Sequence, residues 1–121
     1  MNKRKILTFS IGLPGPSWRF EEAVVKEVCA LAGGCTVSRM LGYWMEDAEY
    51  PRHRYAGPQS EEFCFRVEIM VELHKVEHVY NTVRCCIQQE ARKWEVDTDW
   101  VHVTEADCTF RNFSVKEWLT Q

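Results

Sequence analysis

Between Glu62 and Trp94 the spacing of the apolar residues changes within a few positions, and this change limits what the chain can fold into. Phe63, Phe65, Val67, Ile69, Val71 and Leu73 recur at every second residue. Val76, Val79, Tyr80, Val83, Ile87, Ala91 and Trp94 recur at helical spacing. A period of two gives a strand one apolar face, and a period near 3.6 gives a helix one apolar stripe. A half-buried strand therefore runs directly into an amphipathic helix.

Weaker patterns of the same kind flank this unit. Leu7, Phe9 and Ile11 alternate with Thr8 and Ser10, predicting a strand that stops at Gly12-Leu13-Pro14-Gly15-Pro16. A helix follows from Ser17, which can cap its exposed amides. Glu21 and Glu22 suit its positive end, Phe20, Val24, Val28 and Leu31 form one face, and Gly33-Gly34 closes it. Cys35 to Met45 reads as a strand with apolar residues on both faces. Glu46 to Ser60, with Pro51, Gly57 and Pro58, reads as a long polar-aromatic loop. Trp100, Val101 and Val103 begin a last strand running towards Phe110, and Ser114 to Gln121 forms a tail.

The order strand, helix, strand, strand, helix, strand predicts an α+β fold of the ferredoxin-like βαββαβ type, an antiparallel sheet with two helices on one face. No repeat or linker interrupts it, so residues 1–121 read as one domain; 45% hydrophobic residues are enough for its single core. The other sheet face would carry Cys64, Arg66, Glu68 and Met70, with Met40 and Trp44 beside them. That mixture is too apolar for a solvent face and predicts a homo-oligomer, a dimer or larger; the alternative is cover by the Glu46 to Ser60 loop.

A net charge of −3 argues against a dedicated binder of duplex nucleic acid. No segment reaches membrane-spanning length. The basic start, Met1 to Lys5, precedes a short apolar run without a cleavage site, so no secretory signal is expected. Cys29, Cys35, Cys64, Cys85, Cys86 and Cys108 then read as reduced thiols in a cytoplasmic protein.

Several groups of residues bear on chemistry. His74-Lys75-Val76-Glu77-His78 matches the H-x-x-E-H pattern of inverted zinc peptidases. Helical geometry, however, turns both histidines away from the core face, which predicts a solvated pair rather than a metal site. Cys85-Cys86 lacks the spacing of a redox pair, with Cys86 flanking the core and Cys85 pointing outward. Gly12 to Pro16 matches no phosphate-binding loop and reads as a rigid turn, but it delivers Trp18 and Arg19 to a helix start, where an aromatic plane, a guanidinium and free amides suit an anionic, base-containing ligand. Arg52-His53-Arg54 between Tyr50 and Tyr55 repeats this chemistry, as does Thr109-Phe110-Arg111-Asn112-Phe113. No acid–base or metal centre assembles, so neither an enzyme nor a cofactor is expected.

These features resemble the phage Thoeris anti-defence protein 1 family. The resemblance is carried by the small size, the order of elements, Trp18 at the first helix start, Arg52 and Arg54 in the middle loop, and the segment containing Thr109, Phe110 and Arg111. It implies an oligomer in the host cytoplasm that binds a nucleotide-derived immune signal without cleaving it, either a cyclic ADP-ribose isomer or, in some members, a cyclic oligonucleotide. It further implies that Trp18 stacks on adenine, that Thr109 and Arg111 hold phosphate with Phe110 beside them, and that Arg52 or Arg54 closes a site shared between subunits. Phe9 and Asn81 join the set, Asn81 only where its edge of the helix meets a neighbouring subunit. A protein-interaction module without a small ligand is the alternative.

Overall fold

The alternating residues of the first strand are buried because that strand lies inside the sheet. In the computed structural model, which describes residues 2–45, 59–98 and 101–116, β1 (Asn2–Leu13) pairs antiparallel with β3 (Gln59–Glu72) on one side and with β4 (Val101–Phe110) on the other. β2 (Thr36–Met45) adds to the far edge of β3, giving the order β2-β3-β1-β4. The helices α1 (Trp18–Ala32) and α2 (Val76–Lys93) complete the ferredoxin-like α+β arrangement. No described helix is long and apolar enough to cross a membrane.

Register places the apolar residues of neighbouring strands side by side. Leu7 lies opposite Ile69, Phe9 opposite Val67 and Ile11 opposite Phe65, and all six are buried with Phe20, Val24 and Val28 of α1 and Val79, Val83 and Ile87 of α2. Burying such side chains contributes about 1.5–3 kcal/mol each, which makes this layer the main source of stability. α1 ends where Gly33 takes φ 83° and its N–H bonds Cys29 O at 2.9 Å; glycine adopts this left-handed conformation without a Cβ clash.

The structure departs from the sequence reading in three places. Leu73 leaves the alternation, half-exposed in a 3₁₀ turn (Leu73–Lys75) that separates β3 from α2. β1 starts at Asn2, well before Leu7. The Ser17 side chain makes no capping bond; instead its backbone N–H donates to Glu21 Oε2 at 2.9 Å. Arg52 and Arg54, with the rest of the loop from Glu46 to Pro58, lie outside the described residues.

Cys86 is buried on α2 and its neighbour Cys85 exposed, as the helical period requires. Burial, together with the nearby Glu27 carboxylate, pushes the Cys86 thiol up to about 12. Burial and the Cys29 thiol, 3.9 Å away, push Cys35 up to about 11. Thiolate is the reactive form, so below pH 9 Cys86 presents about 1,000-fold less of it than an ordinary cysteine. At pH 8, iodoacetamide is expected to alkylate Cys85 in the native protein and leave Cys86 intact, as read by mass spectrometry; rapid native labelling of Cys86 would contradict this packing. The sign for stability follows from the raised pKa: the contribution is fully present below pH 9 and is lost as pH rises from 9 towards 12.

Candidate functional site

A groove of about 560 Å³ lies between α2 and β4. Phe9 and Val103 are paired across β1 and β4, and together with Val101 and Ile87 they make an apolar floor. Tyr80 lies over Phe9 with ring centroids 6.1 Å apart and planes 23° apart.

The helical wall follows from a simple spacing. Tyr80, Arg84, Gln88 and Arg92 succeed one another at intervals of four, so they form one row along α2, with Arg84 and Arg92 about 12 Å apart in helical rise. Asn81 steadies the first guanidinium. Its Nδ2 donates to Glu77 O at 2.9 Å, and its Oδ1 accepts from Arg84 Nη2 at 3.3 Å. Arg92 forms no ion pair among the described residues.

The end of α2 shapes the remaining wall. Glu95 takes φ 52°, Val96 N–H bonds Ala91 O at 2.8 Å and Glu95 N–H bonds Arg92 O at 3.2 Å, a Schellman closure with glutamate where glycine is usual. The turn brings Glu95, Val96 and Thr98 against the groove, where the Thr98 hydroxyl is buried with no hydrogen-bond partner among the described residues. The assembled chemistry is an apolar floor, a tyrosine and two guanidinium groups.

The residues singled out from the sequence are distributed over three regions. Phe9 is in the groove, but 1% exposed and so part of its floor; Asn81 touches the groove through Arg84. Trp18 is 63% exposed on the β2 side, with the Arg39 guanidinium 4.8 Å above its ring. Arg39 also lies 5.7 Å over Phe65 and bonds Glu21 Oε1 through Nε at 2.6 Å. Glu21 is 1% exposed whereas the Arg39 side chain is 38% exposed, so this helix-end carboxylate is the buried half of a partly exposed ion pair.

Thr109, Phe110 and Arg111 lie at the opposite end of the sheet. Thr109 pairs with Lys3, whereas Arg39 pairs with Phe65 at the level of Ile11. Eight residues of β1 separate these levels, on the order of 27 Å. Trp18 and Arg111 therefore do not meet within one chain. Phe110 lines a second hollow of about 460 Å³ with Met70, Gly34 and Arg4, whose guanidinium sits 4.8 Å over the Phe110 ring. His74 and His78 are both exposed, and His74 Nε2 lies 3.5 Å from Glu72 Oε2.

Sequence reasoning missed Arg84, Gln88, Arg92 and Thr98. The four-residue row from Tyr80 was visible, since it borders the core stripe of α2; the position of Thr98 depends on the turn after the helix.

No protein-family model and no curated protein matches the chain. Among solved structures it is similar to LarC2, the C-terminal domain of a cyclometallase involved in the synthesis of the NPN cofactor of lactate racemase, with a TM-score of 0.44 and 10% identity over 89% of this chain and 58% of that one. A hydantoinase/carbamoylase family amidase from Burkholderia ambifaria is matched with a TM-score of 0.36 and 12% identity over 88% of this chain and 27% of that one. The chain thus spans less than two thirds of either neighbour, and neither likeness bears on its chemistry.

Proposed function

We propose that the protein captures a nucleotide-derived signal, of the cyclic ADP-ribose or cyclic oligonucleotide class, and holds it without cleaving it, as an anti-defence protein of phage type acting in the host cytoplasm. The observation that carries this reading is the α2–β4 groove, an apolar floor bordered by Arg84 and Arg92 at two separated points. A base fits the floor beside Tyr80, and phosphate oxygens suit the guanidinium groups. Trp18 and the segment from Thr109 to Arg111 enter such a site only from a neighbouring subunit.

A second reading, a protein-interaction module, is favoured by Met40 and Met70, each about 40% exposed on the sheet face away from the helices. One experiment separates the two. The purified chain is incubated with cyclic ADP-ribose isomers and cyclic di- and trinucleotides, freed of excess ligand, heat-denatured, and its released ligand identified by mass spectrometry. Release of an unchanged compound is the expected result. Release of an altered compound would make the protein an enzyme, and no retention across the panel would favour the interaction module.

A further inference from the structure

Arg66 and Glu68 stand two residues apart on β3, on the sheet face that neither helix covers. Their neighbours across the strands are small hydroxyl residues: Ser10 and Ser38 beside Arg66, Thr8 and Thr36 beside Glu68. Arg66 is half-buried, and neither charge has an ion-pair partner among the described residues, whereas Arg4 on the same face has Glu72 at 3.7 Å. A guanidinium and a carboxylate are thus presented side by side above a low, polar bed, with Cys64 and Met70 at either end of the row.

This arrangement is complementary to itself, and we infer that the open face binds a second copy of the chain through a two-fold axis crossing β3 between Arg66 and Glu68. Such an axis reverses the strand direction and places Arg66 over the partner's Glu68, and Glu68 over the partner's Arg66. The same operation sets Met70 over the partner's Cys64, so apolar residues meet apolar ones. The small residues of the central rows let two sheets approach to the usual spacing of about 10 Å.

Area supports the same occupant. Four strands about 4.8 Å apart and about ten residues long present on the order of 650 Å² per subunit, or about 1,300 Å² for a pair, within the range of stable interfaces. Because Arg66 and Glu68 carry opposite charges, the two-fold operation sets unlike charges against each other at the centre of the face even though the chain as a whole is acidic. The dimer does not depend on what the groove holds.

The test is sedimentation velocity on the full chain at about 50 µM, well above the dissociation constant of a standard-size interface. The expected result is a species of twice 14.3 kDa. Arg66→Glu and Glu68→Arg should each weaken association by at least about 100-fold, because each sets two like-charge contacts across the axis. The combined R66E/E68R chain should restore it, with far-UV circular dichroism verifying the fold throughout. Met70→Lys, at an exposed position, gives an independent route to the monomer. A monomeric wild type, single swaps that remain dimeric, or a double swap that stays monomeric would each overturn the proposal. So would a wild type that dimerises only after residues 46–58 are replaced by a short Gly-Ser linker, since that segment would then be the occupant.

Discussion

Arg39→Met is expected to lower stability by about 3 kcal/mol and Tm by on the order of 10 °C. The Glu21 carboxylate is almost fully buried, with one oxygen taking the Arg39 guanidinium and the other the Ser17 amide. Methionine keeps much of the packing against Trp18 and Phe65 but strands a buried negative charge on a single amide. The double variant Glu21→Gln with Arg39→Met should recover more than half of the loss, because no ion then remains to be desolvated. Urea unfolding of the four chains of this cycle measures the coupling. A loss below about 1 kcal/mol in the single variant would place the pair with solvent-screened surface bridges. The same variant tests Trp18, whose ring lies under Arg39: its placement follows from a stability element on α1 and β2 before any ligand is considered.

The second large effect concerns binding. Arg84→Ala combined with Arg92→Ala should reduce capture of the retained nucleotide by about 100–1,000-fold, the loss of two charge-assisted contacts, while Tm moves by less than about 2 °C because both side chains are exposed. Gln88→Trp, which fills the groove from an exposed position in the same row, should abolish capture by a different route. Equilibrium dialysis with the ligand identified in the release experiment reads both. Unchanged capture in both variants would remove the groove from the binding site. If capture instead fails on Trp18→Ala and on Arg111→Ala with the groove variants intact, the site lies where subunits meet.

The contrast between α2 and its surroundings shows where sequence reading succeeds. The row Val76, Val79, Val83, Ile87 and the strand row Phe65, Val67, Ile69, Val71 were legible because the direction of a side chain depends on its own backbone period. Cys86 inside and Cys85 outside followed from the same rule. Leu73 broke the rule because a 3₁₀ turn was inserted between strand and helix, a shift in backbone geometry that no apolar spacing reports. Glu21 does sit in the first turn of α1, but its burial was not legible: its partner Arg39 is eighteen residues away, so that burial depends on how β2 lies against α1.

Local chemistry thus determined the order of elements, the antiparallel sheet with one helical layer, and the faces that form the core. Only the tertiary structure decided which polar residues meet. Strand register put Thr109 and Trp18 at opposite ends of β1 and set Arg66 and Glu68 among hydroxyls on the face that neither helix covers, and the turn after α2 carried Thr98 back to the groove. The physical reason is range. A side chain's direction is set within a few residues, whereas a binding site or an ion pair depends on distances between segments that are brought together only by burial of the shared core.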